Sequence, residues 1–246
     1  MDNKPLISII TVCKNSEGTI EKTILSVLSQ TYSNIEYIII DGNSSDSTMV
    51  IVNGYKYSIT KIISESDSGI YQAMNKGIAL AKGEFILFLN ADDRLVFESA
   101  IEKAVDFIVH QLKSDVFCGN LLRFHIDGTF NIWTPKKVTE LSLYRGSLPH
   151  PATFFRKDSF HRYGNYNESF AIAGDYEWFL RAFLKHHAVF TIIPQLITMF
   201  FEGGISTLDK YKLMLREEIS KTHSMYFTPA QLSKLKIKKF IRKQFK

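Results

Sequence analysis

Residues 85–93, FILFLNADD, constrain the fold more than any other stretch of the chain. Five apolar residues run without a break into Asn90, Ala91 and two adjacent aspartates. A short apolar run bounded by polar residues suits a strand buried on both faces, as in a parallel sheet. In such sheets ligands bind in the crevice outside the carboxyl ends of the strands, which sets Asp92 and Asp93 at its mouth. Two neighbouring carboxylates repel each other unless a cation lies beside them. Hard oxygen ligands suit Mn²⁺ or Mg²⁺, ions that commonly carry substrate phosphates. On these residues alone a second reading stays open, in which LNADDR is a polar turn whose aspartates cap the next helix.

The rest of the first half keeps one rhythm. Residues 6–12 read as a strand, and residues 19–30 have helical periodicity through Ile20, Ile24, Val27 and Leu28. Residues 35–40, IEYIII, form a second strand that runs into DGNSSDST, a dense cluster of turn and cap residues. A weak helix over 47–57, a strand over 61–64, a helix over 70–82 and another over 98–112 complete the pattern. Strands alternating with helices in this way predict βαβ units and an α/β fold around a mostly parallel sheet. Asp41, Asp67 and Asp92 each follow a strand, so the carboxyl-end rule gathers them in one crevice.

Some functions are excluded. No G-x-G-x-x-G follows the first strand and no G-x-x-x-x-G-K-[ST] occurs, which removes a dehydrogenase and a P-loop nucleotidase. Cys13 and Cys118 are the only cysteines, so there is no disulfide framework and no cysteine zinc site, and a reducing compartment fits. Residues 6–13 lead into KNSEG with no cleavage signal, and no apolar run approaches the roughly 20 residues a membrane helix needs. A cytoplasmic protein is the expectation, with peripheral contact at the inner face of the plasma membrane as an extension of it.

That extension rests on charge. The net charge is +5, and no acid follows Glu218. In the tail, Leu232, Leu235, Ile237, Phe240, Ile241 and Phe245 recur at roughly helical spacing among lysines and arginines. A basic amphipathic helix lying on a membrane and a solvated helix packed on the domain by one face both fit. Nucleic acid is not an expected partner.

The second half changes style. A hairpin is expected over 116–133 with Asp127 and Gly128 at its turn, then a short strand at ATFF. Residues 173–178 open a helix with Asp175 as its cap or in its first turn, where negative charge is favoured. Two further strands are expected over 189–193 and 196–200, then a turn at Gly203 and Gly204. The chain divides into one domain over 1–207 and a basic helical appendage over 208–246.

The motifs PLISIITVCKNSEGTIEKTILSVLSQTYSNIEYIIIDGNSSDST, SDSGIYQAMNKGIALAKGEFILFLNADD, HPATFFRK and GNYNESFAIAGDYEWFLRAF resemble the inverting glycosyltransferase family 2, which has the GT-A fold. The flavour is that of the branch building bacterial surface polysaccharides of the colanic-acid type. The resemblance implies that one sugar passes from a UDP-, GDP- or dTDP-linked donor to a polysaccharide or lipid-linked acceptor, with Mn²⁺ or Mg²⁺ assisting departure of the diphosphate. Thr11 and Val12 match the floor under the donor base, Asp41 the acid that bonds the base, and Asp67 the next donor loop. Asn90-Ala91-Asp92 falls on the family's DXD motif, with Asp92 as metal ligand and the adjacent Asp93 as a second metal ligand. Asp175 matches the catalytic base, and Gly203 to Ser206 the loop that folds over the donor. Two residues depart from the pattern: Asn90 replaces an acid, and Gly174 stands where Glu often precedes the base. Glu177 competes as base. Trp178 and His150 stand on the acceptor side, each with a plain structural reading open. The alternative is a nucleotide-sugar-binding protein with a decayed, non-catalytic site.

Overall fold

The computed structural model describes residues 4–204 and 206–244, with side chains described through residue 238. Ile205 of the donor loop and Phe245 of the tail stripe therefore lie outside the described residues, as do the side chains of Phe240 and Ile241. The strands are β1 (Ile7–Cys13), β2 (Ile35–Asp41), β3 (Lys61–Ser64), β4 (Phe85–Phe88), β5 (Arg94–Leu95), β6 (Val116–Phe124), β7 (Phe130–Trp133), β8 (Thr153–Arg156) and β9 (Phe190–Phe201). The helices are α1 (Ile20–Leu28), α2 (Thr48–Gly54), α3 (Ile70–Leu80), α4 (Ala100–Ile108), α5 (Glu140–Arg145), α6 (Asp158–Tyr163), α7 (Gly174–Leu180), α8 (Lys212–Tyr226) and α9 (Pro229–Gln244).

The sheet runs β3-β2-β1-β4-β8-β6-β9-β5, with β7 paired to β6. The first four strands are mutually parallel. β8 is antiparallel to both β4 and β6, so β6 and its parallel partner β9 return to the first direction. Six of the nine strands among the described residues share that direction, and β5, β7 and β8 oppose it. The expected α/β architecture with a mostly parallel, helix-flanked sheet is what forms.

Period-two alternation splits the core between the faces. Ile10, Val12, Ile38, Ile40, Ile86 and Phe88 face one cluster. Ile7, Ile9, Tyr37, Ile39, Leu87 and Leu89 face the other. Both faces of these strands are buried, which is why their sequences read as continuous apolar runs. The hairpin forms with Gly128 at φ +84, a left-handed value that suits glycine. The two strands expected after residue 188 are one, β9. Its register slips opposite Gly119 and Asn120, where Pro194 has no N–H to give and its carbonyl accepts from the Asn120 amide at 3.0 Å.

Past residue 207 the chain packs back onto the domain. Leu235 of α9 is buried and Leu232 packs against the same cluster, while Ile237 is exposed. The apolar side of α9, as far as its side chains are described, is thus largely spent on the protein. Among the described residues no helix is long and apolar enough to cross a membrane.

Candidate active site

Parallel pairing of β1 to β4 brings their carboxyl ends to one edge, where a cleft of about 1480 Å³ opens. Val12, Asp67, Asp92, His150 and Asp175 all line it. Two expected donor residues do not. Thr11 is fully buried, and its hydroxyl pairs with Tyr37 Oη at 3.1 Å. Strand parity turns residue 11 away from the side on which Val12 meets the cleft. Asp41 is also fully buried. Its carboxylate accepts from the Ser44 amide at 3.0 Å, the Ser64 hydroxyl at 2.6 Å and the Ser44 hydroxyl. It holds the turn after β2 from beneath. Asp67 lies against that turn: a Cβ on Gly42 would stand 2.6 Å from Asp67 Oδ2, so the glycine lets the acid sit there.

The adjacent aspartates part company. Asp92 is half-buried and lines the cleft, whereas Asp93 is fully buried beneath it. The Asn90 amide donates to Asp93 Oδ2 at 3.3 Å, and Thr23 Oγ1 donates to the Asp93 carbonyl at 2.8 Å. Burial, then the Asp92 charge, pushes the Asp93 carboxyl well above the usual carboxylate range. Being fully buried and not part of the cleft lining, Asp93 does not meet a cation there. Asn90 acquires a reason: its N–H₂ supports Asp93, where a third carboxylate would add repulsion.

Burial also raises the Asp92 carboxyl. A half-buried carboxylate without a cationic partner among the described residues fits a cation arriving from outside. No group of three or more His, Cys, Asp or Glu that could hold a metal exists among the described residues. The residues present suit an ion held by one carboxylate and by phosphate oxygens, the usual manner of Mg²⁺, and not a resident metal. A Cβ on Gly204 would lie 3.3 Å from Asp92 Oδ2, so the loop after β9 passes closely over this carboxylate.

Asp175 sits in the first turn of α7. Tyr71 Oη stands 3.2 Å from its Oδ1, and Ser147 Oγ donates to its Oδ2 at 3.4 Å. Tyr71 Oη donates its single proton to the Ile172 carbonyl at 2.5 Å. No Lys or Arg pairs with Asp175 among the described residues. The glycine before it is explained by packing. A Cβ on Gly174 would stand 2.7 Å from the buried Tyr71 ring, which leaves no room for the Glu of the family pattern.

Glu177 is not a second base. It is 1% exposed and pairs with Arg181 Nε at 3.0 Å and Nη2 at 3.1 Å, with Tyr226 Oη also on its Oε1. Two residues along a helix turn about 200°, so Glu177 faces the core when Asp175 faces the cleft. Trp178 is fully buried among Phe155, Phe160 and Phe179 and donates to the Gly164 carbonyl at 2.8 Å. It cannot stack on an acceptor. His150 reaches the cleft, but its Nε2 is engaged with Tyr166 Oη at 2.8 Å and its ring stacks on Phe88. Burial pushes its imidazole below the ordinary range against the opposing Asp175 charge, so it is a neutral wall of the cleft.

Sequence reasoning passed over three features. Arg94 lines the cleft with its guanidinium 4.5 Å from the Phe201 ring centroid. Its Nε has no hydrogen-bond partner, and it makes no ion pair among the described residues. Ser147 donates to Asp175, and Tyr71 stands beside it and holds the Ile172 carbonyl just before it. Finally, Tyr211, Leu215, Ile219 and His223 line the cleft from the chain beyond residue 207. Their spacing of four, one face of a helix, was legible in the sequence.

Comparisons with known proteins give the family and the fold. The sequence model described as "Glycosyl transferase family 2" matches residues 8–184. A mycobacterial protein named "PGL/p-HBAD biosynthesis glycosyltransferase", from Mycobacterium bovis, is 28% identical over 82% of this chain and 79% of its own length. An "Uncharacterized glycosyltransferase" of Mycobacterium tuberculosis is 33% identical over 75% of this chain and 71% of its own. S. aureus TarS in complex with UDP-GlcNAc superposes with a TM-score of 0.68 at 20% identity, over 88% of this chain and 66% of that one. The mannosyltransferase PcManGT from Pyrobaculum calidifontis, in complex with GDP-Man and Mn²⁺, gives 0.70 at 13%, over 91% and 64%. This chain spans less than two thirds of both solved chains. At these identities the two structures establish the fold, and the GT-A architecture is shared.

Proposed function

This chain belongs to glycosyl transferase family 2 and is a glycosyltransferase; from that premise we propose that it carries out an inverting transfer of one sugar from a nucleotide-sugar to a polysaccharide or lipid-linked acceptor. The observation that carries this reading is Asp175, a carboxylate in the cleft with hydroxyl neighbours and no cationic partner among the described residues. The acceptor hydroxyl oxygen attacks the anomeric carbon from the face opposite the diphosphate. The new C–O bond forms as the bond to the diphosphate oxygen breaks, and that oxygen leaves with the electron pair. Asp175 takes the hydroxyl proton as general base. When bound at Asp92, Mn²⁺ or Mg²⁺ would supply positive charge to the departing diphosphate. Arg94 adds a fixed charge on the same side, stronger there than in water because its surroundings are partly dry. Val12 and Asp67 hold the base of a UDP-, GDP- or dTDP-linked donor, and Asp41 and Thr11 support that floor from below.

Calorimetric titration of UDP, GDP, dTDP and CMP, with and without Mn²⁺, tests the reading. One nucleotide is expected to bind in a metal-dependent manner. Asp92→Asn should weaken that binding by roughly a hundredfold or more, the scale of losing one side of a buried charge pair. Failure of all four to bind would sink the donor cleft. Binding without any turnover would favour the decayed-site alternative.

The setting we propose is cytoplasmic, at the inner face of the plasma membrane. Exposed Lys234, Lys236 and Lys238 support contact with anionic lipid, and with Leu232 and Leu235 packed inward the contact is electrostatic. Reversing the three lysines to glutamate is expected to weaken binding to phosphatidylserine vesicles by roughly a hundredfold, at about 1 kcal/mol per lysine. Equal vesicle binding by both proteins would remove the membrane from the account.

A further inference from the structure

We infer that Glu218, in the middle of α8, is a positioning residue for sugar transfer that acts through Asp175; the inference rests on Asp175 being the base. The Glu218 carboxylate accepts three consecutive backbone N–H groups. Oε1 takes Ala171 N at 2.6 Å, and Oε2 takes Ile172 N at 3.0 Å and Ala173 N at 2.7 Å. Successive N–H groups that converge in this way form a concave anion site, and here the chain fills it with its own carboxylate. Hydrogen bonds to an ionised acceptor are the strong class, so three on one segment fix its backbone.

That segment leads directly into the reacting group. Ala173 precedes Gly174, the first residue of α7, and Asp175 follows. The opposite side of the segment is tied as well, because the Ile172 carbonyl accepts the Tyr71 hydroxyl at 2.5 Å. The backbone before Asp175 is thus held between α3 and α8, its amides on Glu218 and its carbonyl on Tyr71. Gly174 transmits the constraint, since its Cα lies against the Tyr71 ring with no space for a side chain. Glu218 itself is anchored within α8, where Thr222 Oγ1 donates to its carbonyl at 2.8 Å. Leu215 and Ile219, on the same helix, line the cleft. One helix therefore walls the cleft and sets the base.

Glu218 lies beyond residue 184, where the family match ends, so the family assigns it nothing. General-base catalysis depends on hydrogen-bond reach to the reacting hydroxyl, and a misplacement of about 1 Å can cost about a hundredfold in rate. Binding of the nucleotide, at the Asp67 and Asp92 end, does not pass through this segment.

The test uses the full chain and nucleotide release from UDP-, GDP- or dTDP-glucose, with water as acceptor. Glu218→Gln keeps the shape of the side chain but replaces one accepting oxygen with an amide that cannot accept. It is expected to lower kcat by about a hundredfold while nucleotide affinity stays within about twofold. Glu218→Asp, which retains the charge on a shorter arm, should recover part of the loss. In an Asp175→Asn background, Glu218→Gln should lower the residual rate no further, because the group it positions is already gone. Full activity of Glu218→Gln would overturn the inference. So would losses that multiply in the double variant, a matching loss of nucleotide affinity, or failure of the Gln variant to fold, each of which makes Glu218 structural only. Normal turnover by Asp175→Asn alone would instead overturn the reading of the base.

Discussion

Asp175→Asn is expected to fold, to bind the donor nucleotide as the wild type does, and to lose sugar transfer by about 10³- to 10⁴-fold. A positioned general base usually contributes about 10² to 10⁴. The upper part of that range applies because the cleft offers no substitute. Glu177 is buried in its pair with Arg181, and His150 is engaged with Tyr166. The asparagine is isosteric and can still accept from Ser147, so the fold has no reason to respond. Calorimetric affinity and single-turnover transfer rates, measured on the same preparation, separate the two effects. A variant that retained transfer within tenfold would mean that the acceptor proton goes elsewhere.

Glu177→Ala is the converse, a large loss of stability with the chemistry left intact. Removing one member of a buried ion pair leaves the other charge uncompensated, at a cost of about 3–5 kcal/mol. For a chain of this size that corresponds to a fall in melting temperature of roughly 10 °C. Arg181 keeps its bonds to the Tyr163 and Asn165 carbonyls, which limits the loss. Turnover per folded molecule should remain near wild type at a temperature where both proteins are folded. An unchanged melting temperature together with lost transfer would return Glu177 to the chemistry. The pair of variants thus tests one geometric statement, that two acids two residues apart on α7 face opposite sides.

That contrast shows where sequence reading stops. The family and the alternation of strands and helices were legible because both reside in local order and spacing. So was the arrival of Asp67 and Asp92 at one cleft, because the carboxyl-end rule needs only the order of elements, whereas Asp175 was placed there by the family resemblance alone. Adjacent candidates were a different matter. Asp92 and Asp93 look equivalent as letters, yet one meets solvent and the other lies under Asn90. Asp41 stands at a strand end as expected, but Ser44 and Ser64 occupy its carboxylate. Glu177 and Arg181 stand at the i, i+4 spacing of a helical ion pair, and the structure forms that pair in place of a second acid at the base.

Glu218 marks the far limit. It lies in a helix that the sequence set apart as an appendage, and no local pattern links it to residues 171–173. The sequence by itself determined the alternation of strands and helices in the first half, the family and the presence of an acid-lined crevice, because backbone periodicity and turn chemistry act over a few residues. Only the tertiary structure decided which carboxylates face that crevice, which ones serve the core, and that α8 returns to hold the loop before Asp175. The environment of a charge is set by whatever packs around it, and those neighbours come from segments far apart in the chain.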